Sequence, residues 1–268
     1  MPSTGSARRP SQKVRRRRNA AGAVAAVLML AMVVLIIRTM AGREGEPGPH
    51  PTELGYPEAP EQAVPPGLDE RRDAVSGVPV AALPDQQWVE QVSEETGIPS
   101  RAVAAYAGAA LRVAEEDPGC GLGWNTLAGI GQVESAHGSY GGARIDEGGV
   151  VDPPVIGVPL DGSEGLMEIP DTDGGELDGD DEWDRAVGPM QFIPTTWEQW
   201  ARDGNLDGQA DVHQYDDAAL TAAVYLCAAG EDLTTDQGWN DAVTAYNQSV
   251  QYAVDVARHA EEYAEAAS

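Results

Sequence analysis

Positive charge is scarce in this chain, which sets 17 lysine and arginine residues against 44 aspartate and glutamate. Seven of the 17 (Arg8, Arg9, Lys13 and Arg15 to Arg18) fall in the first 18 residues, where there is no acid, leaving ten against 44 for the remainder. Phosphate backbones are bound by clustered cations that release counterions, so no nucleic acid partner is expected; uncharged polymers or divalent cations suit this body better. Cysteine is nearly absent. Two thiols, Cys120 and Cys227, are too few for a disulfide scaffold and too distant in sequence for a local metal knuckle. Outside a membrane they have only each other as partners, and one bond between them would restrict the unfolded chain by roughly 3 to 5 kcal/mol; the alternative is two separate buried thiols. At 268 residues the chain holds one ordinary domain of about 150 to 200 residues with accessories, which excludes a large multidomain enzyme.

What is present is arranged in blocks. After the basic tail (1–19) come 18 residues, Ala20 to Ile37, without a charged or hydrogen-bonding side chain. As a helix this run is just long enough to cross a bilayer, and the preceding cations predict a cytoplasmic N-terminus with everything after the anchor (20–40) outside the cell. A cleaved signal peptide is the rival, but the exit Ile37-Arg38-Thr39-Met40-Ala41 makes a poor cleavage site. Nine prolines between Ala41 and Pro84, with many Glu and Gly and few large apolar residues, predict a disordered linker over 41–83.

The folded part is expected over 84–268 and to be mostly α-helical. Trp88, Val89 and Val92 mark a short helix closed by Gly97, and Pro99 suits the first turn of a second, which stops at Asp117-Pro118-Gly119. In a third, Trp124, Leu127, Ile130 and Val133 recur every third residue and are expected to point inward, with Gly138 as the stop. Pro194, Thr195 and Glu198 open a fourth with the spacing of a capping box. Asp216 or Asp217 would cap a fifth ending at Gly230; a sixth carries Val243 and Tyr246; a seventh runs from Val250 to about Ala266. Between Gly141 and Arg185 the pattern turns to Gly, Pro and Asp, an irregular insertion of the kind that forms lids and cleft walls, with room for small hairpins.

Glu134, in Gly131-Gln-Val-Glu-Ser-Ala-His-Gly138, lies four residues after Ile130 and seven after Leu127, at the border of the buried face. Partial desolvation and the negative end of the helix both raise a carboxyl pKa, as proton donation near neutrality requires. This segment, Val187-Gly-Pro-Met-Gln-Phe-Ile-Pro-Thr-Thr-Trp197 and Ala245-Tyr-Asn247 occur in an order and spacing that resembles the lytic murein transglycosylases, in particular the membrane-bound B-type branch, over roughly Leu83 to Val256.

The resemblance implies a lysozyme-like helical domain that cleaves the β-1,4 bond between N-acetylmuramic acid and N-acetylglucosamine in peptidoglycan. Glu134 matches the family's single acid/base, which protonates the leaving oxygen and then takes the proton of the muramic C6 hydroxyl, giving a 1,6-anhydro product. No catalytic cofactor is implied, and the second carboxylate of ordinary glycosidases is dispensable. Ser135, Met190, Gln191, Phe192, Tyr246 and Asn247 match residues that contact substrate, while His137 is read as structural. Cell-wall synthesis or division proteins are the protein partners such an enzyme would have, and the membrane is reached through the one N-terminal helix. The rival readings are a hydrolytic muramidase and a non-catalytic peptidoglycan-binding scaffold.

Asp203-Gly-Asn-Leu-Asp-Gly-Gln-Ala-Asp211 follows the EF-hand scheme for a hard cation: Asp203, Asn205, Asp207 and Asp211 as side-chain donors, Gln209 through its carbonyl, glycine at the sixth place. Gln214 stands where the bidentate glutamate belongs, so Asp216 or Asp217 would complete the shell. B-type members carry a calcium loop here, and a structural Ca2+ is therefore expected. The acidic run Asp171 to Glu182 has looser spacing and is read as solvated.

Overall fold

A computed structural model describes residues 55–67, 77–163 and 166–268. The basic tail and the anchor expected at 20–40 lie outside these residues. Among the described residues no helix is long and apolar enough to cross a membrane. The described chain is mostly helical, as expected: α1 (Gln86–Thr96), α2 (Ser100–Glu116), α3 (Trp124–Ser135), α4 (Pro194–Trp200), α5 (Tyr215–Gly230), α6 (Asp236–Tyr246) and α7 (Val250–Ala266).

At the centre is α2. Its residues from Ala102 to Ala110 are buried on every side, as befits a helix that is apolar all round, and it packs against α1, α3, α5 and the 3-10 turn Val80–Ala82. A methyl group at Gly108 would collide with the carbonyl of Val80, so that turn is seated directly on the helix backbone. The pair that matters most for function is α3 and α7. Their backbones approach so closely at Gly129 that an added Cβ would lie 2.6 Å from the carbonyl of Val256. Cys120 and Cys227 do form a disulfide, with Cα atoms 5.2 Å apart, joining the α2–α3 connection to the last turns of α5.

Several local expectations are corrected. Val133 is 36% exposed, whereas Trp124, Leu127 and Ile130 are buried. A spacing of three loses about 60° per step on a helix that turns about 100° per residue, so nine residues carry Val133 to the side opposite Trp124. The capping box at α4 does not form: Pro194 occupies the first turn, but the cap residue is Ile193, which offers no acceptor. At α5 the cap is Gln214, whose side chain accepts from the amide of Asp217 at 2.9 Å, and Asp216 and Asp217 fall inside the first turn. Pro99 is the cap of α2 and not part of its first turn.

The linker does not run free up to residue 83. Residues 55–67 lie along the domain as an extended strap, held by side chains that read its backbone. Asn240 Nδ2 donates to the carbonyl of Pro57 (2.9 Å), Asp236 accepts from the amide of Ala59 (2.8 Å), and Asn125 both donates to Glu61 (2.9 Å) and accepts from Ala63 (2.9 Å). Its prolines suit this extended path, and Pro60 and Pro65 are buried. Tyr56, Ala59 and Ala63 also pack against the core, but these few small contacts are joined by backbone bonds to the domain's asparagines that composition does not reveal.

The insertion is built from two small antiparallel ribbons: β1 (Arg144–Ile145) with β2 (Val151–Asp152), and β3 (Ile156–Pro159) with β4 (Arg185–Val187). Its acidic run is not simply solvated. Asp171, Asp173, Asp178 and Asp180 accept from the backbone amides of their own turns, and Asp184, fully buried, accepts from the amide and hydroxyl of Thr172.

Candidate active site

Glu134 sits in the last turn of α3, partly buried, with some of its side chain left open to solvent. Tyr252, near the start of α7, donates its phenolic proton to Glu134 Oε1 at 2.5 Å. Burial pushes the Glu134 pKa from the ordinary carboxylate range up to about 7, against the opposing pull of the Tyr252 hydrogen bond. Near neutral pH the group therefore exchanges readily between acid and carboxylate. With Oε1 accepting from Tyr252, the proton of the acid form is placed on Oε2. Burial, and then the charge of Glu134, raise Tyr246 and Tyr252 well above the usual phenol range, so both stay neutral donors.

The residues expected to touch substrate divide into two sets. Tyr246 lies close enough to Glu134 to feel its charge, and Gln191 belongs to the turn that Tyr246 holds. Gln191 adopts a left-handed backbone (φ 49°) in the turn after Gly188-Pro189-Met190, and its Nε2 donates to the carbonyls of Gly188 (2.8 Å) and Val155 (3.3 Å), tying that turn to the β3 side of the insertion. Tyr246, at the end of α6, donates to the carbonyl of Met190 at 2.8 Å. The Met190 side chain is fully buried, so this residue contributes its carbonyl and its packing. Asn247 caps α6, is exposed, and accepts from the amide of Ser249 at 3.0 Å.

Ser135 and Phe192 do not fit the role expected of them. Ser135 is buried; its hydroxyl donates to the carbonyl of Pro189 (2.6 Å) and accepts from the amide of Gly138 (2.7 Å), so its one proton is used and the group is withdrawn from the surface. It staples the end of α3 to the Gly188–Gln191 turn. The Phe192 ring is buried between Trp197 and Tyr246, with centroids at 5.5 and 5.7 Å, and supports Tyr246 in place of stacking on a sugar.

Tyr252 was missed by motif reasoning, although a signal existed. It shares the buried face of α7 with Val256 and Tyr263, and a phenol on such a face needs a polar partner from the helix opposite.

The 203–211 loop takes a related but different form from that expected. Asp216, expected to complete the cation shell, has both its oxygens on Arg101, at 2.6 and 2.8 Å. Asp217 is the aspartate that the loop surrounds. Its carboxylate lies inside the loop, accepting from the amides of Gly204 (2.7 Å), Asn205 (3.2 Å) and Asp211 (2.8 Å), and burial raises its pKa to about 6 despite those bonds. Asp203, Asn205, Asp207 and Asp211 accept from amides within the loop, and Gln209 donates its amide to Asp207. Among the described residues, the carboxylates that do converge to within 4.8 Å are Asp171, Asp173 and Asp184 in the insertion.

A family model described as Transglycosylase SLT domain matches residues 176–261, less than half of the chain. No curated protein and no solved structure matches. The matched segment carries Gln191, Phe192, Tyr246, Asn247 and Tyr252, so the likeness to that domain covers this part of the site. Glu134 lies outside the match and joins it through the hydrogen bond from Tyr252.

Proposed function

We propose that this protein is a peptidoglycan lytic transglycosylase in which Glu134 is the single acid/base. The observation that carries the reading is one carboxyl held near neutrality by burial, contacted by a neutral phenol from the segment that matches the transglycosylase domain. In the acid form, Oε2 protonates the glycosidic oxygen leaving from N-acetylmuramic acid. The carboxylate then takes the proton of the muramic C6 hydroxyl as that oxygen closes on C1, so the bond is exchanged within the substrate and no water is consumed. Tyr252 holds Oε1 throughout, and its proton offsets the negative charge between the two transfers. Gln191 Oε1, free of its own backbone contacts, and the exposed Asn247 are the polar groups that suit hydroxyls and acetamido groups of a neutral glycan.

The finer assignment to the membrane-bound B-type branch belongs to the same proposal, as do the N-terminal anchor at 20–40 and an extracytoplasmic position for the catalytic domain. The oxygen-only donor set of the 203–217 loop suits a hard cation. Asp203, Asp207 and Asp217 would hold calcium there by charge, with Asp211, the Asn205 side-chain oxygen and the Gln209 carbonyl completing the set. Such an ion would tie the start of α5 to its preceding loop and takes no part in the proton transfers.

Mass analysis of digested peptidoglycan tests the reaction. Fragments one water lighter than reducing ends are expected from the wild type, and Glu134→Gln should lower their release by about 10² to 10⁴-fold. Reducing ends alone would make the enzyme a hydrolytic muramidase, and equal cleavage by the variant would remove Glu134 from the chemistry. For the loop, millimolar calcium should raise the melting midpoint of the wild type and of Asp216→Ala relative to chelator, but not that of Asp217→Asn. An unchanged midpoint for the wild type would dismiss the ion.

A further inference from the structure

Beneath Glu134 lies a buried polar chain that the proposed reaction does not use. Tyr106 of α2 meets Tyr215 of α5 hydroxyl to hydroxyl at 2.5 Å and His137 Nδ1 at 3.1 Å; His137 Nε2 meets Tyr263 of α7 at 2.9 Å; and Tyr263 donates to Gln132 Oε1 at 3.0 Å. The last bond orients all the others. Since the single phenolic proton of Tyr263 goes to an amide oxygen, Tyr263 must accept from a protonated Nε2, Nδ1 must accept from Tyr106, and Tyr106 from Tyr215. Every donor is used, and the imidazole is held neutral in one tautomer.

The backbone at this point is strained. Ala136 (φ 49°) and His137 (φ 56°) are consecutive non-glycine residues in the left-handed region, at a cost of about 1 to 3 kcal/mol each. They close α3 through the amide of His137 on the carbonyl of Gly131 (2.9 Å). Such a turn persists only where its surroundings over-determine it. Ser135 supplies one tie, to Pro189, and the His137 ring supplies the others. Gly131 is what admits the chain, since a methyl group there would strike the Tyr106 hydroxyl. Gln132 and His137 stand on either side of Glu134 in sequence, and both end on Tyr263. Glu134 itself ends on Tyr252 of the same helix, so three side chains set the register of the α3 terminus on α7.

Resting on the transglycosylase reading above, we propose that His137 and Tyr263 are positioning residues, which hold the strained end of α3 against α7 and thereby keep the Glu134 carboxyl withdrawn from solvent and facing Tyr252. Released from this anchor, the turn relaxes, water reaches the carboxyl, and the acid form needed at neutral pH is depleted. The titratable groups facing Glu134 are Tyr252 of α7 and Tyr246 of α6; those facing His137 are Tyr106, Tyr263 and His259, with Tyr215 reached through Tyr106.

The test compares the full chain with Tyr263→Phe, which removes one hydroxyl and keeps the ring, and with His137→Gln, which keeps a donor toward Tyr263. The titration of Glu134 is read by 13C-carboxyl NMR, with Glu134→Gln assigning the signal, beside the pH profile of glycan cleavage. A fall of at least one pH unit in the Glu134 midpoint is expected in Tyr263→Phe. The alkaline limb of kcat should move by the same amount, kcat should drop at least about fivefold at pH 7 with KM within twofold, and His137→Gln should lie between the variant and the wild type. A Glu134 midpoint unchanged in a folded Tyr263→Phe would overturn the proposal; should that variant not fold, the same outcome in His137→Gln overturns it. The titration needs no glycan, so a wild type that cleaves nothing defeats the transglycosylase reading while the NMR result still decides the role of the anchor.

Discussion

Glu134 and Tyr252 show how much two side chains settle when one helix presents an acid and its neighbour a phenol. The hydrogen bond from Tyr252 favours the carboxylate and so opposes the burial that favours the acid. Replacing Tyr252 by Phe should therefore raise the Glu134 pKa above about 7 and move the alkaline limb of kcat/KM to higher pH, with lower maximal activity because one proton facing the anion is lost. A pH–activity profile of the variant measures both, and a shift toward acid would contradict the assigned geometry. The two residues are not equally visible in the chain. Glu134 could be singled out because its helix period places it at the edge of an apolar face, whereas the Tyr252 partnership depends on how α7 is rotated against α3, which no local spacing encodes. Asp217 is a similar case. Two adjacent aspartates look equivalent in sequence, and only the position of Arg101 decides that Asp216 is the one withdrawn from the loop.

Each helix of the domain follows from apolar periodicity and stop signals, and most ends fall where those signals place them: Gly97 closes α1 in the left-handed conformation, and Ser249 caps α7 through the amide of Tyr252. The end of α3 departs from this rule, since the left-handed residue that closes it is Ala136 while a glycine stands two places later. Stability at that helix end depends on pH through opposite effects. Burial raises Glu134 from 4.5 to about 7, so its contribution is fully present below about pH 4.5 and is lost as pH rises through 7. Burial lowers His137 from 6.5 to about 3, so its contribution is complete above about pH 6.5 and is lost as pH falls toward 3. Glu134→Gln removes the alkaline loss: urea melts should find it more stable than the wild type at pH 8, on the order of 3 kcal/mol, and little changed at pH 4. Equal stability at both values would mean that the carboxyl is not desolvated.

On the scale of the molecule, the strap changes where the domain begins. Residues 55–67 satisfy Asn125, Asp236 and Asn240, and Val80 is packed on α2, so a chain starting at residue 84 would leave these groups without their partners. Its melting midpoint should fall several degrees below that of a chain starting at residue 55; coincident midpoints would show that the strap adds nothing to the fold. Polar, proline-rich composition does not reveal a strap read by its neighbour's side chains, because its apolar anchors are few and small and its bonds are made by the backbone.

By itself the sequence determined the helical class and most helix limits, and it marked two lone cysteines as each other's candidate partners and a glutamate at the close of α3, since each depends on periodicity, turn chemistry or the scarcity of alternatives along the chain. Tertiary structure alone decided that Tyr252 faces that acid, that Ser135 and Phe192 turn inward, that Asp217 replaces Asp216 in the loop and that the strap is docked. Those outcomes are set by the rotation and approach of elements far apart in sequence, and burial, pKa and hydrogen-bond partnership exist only once those elements meet.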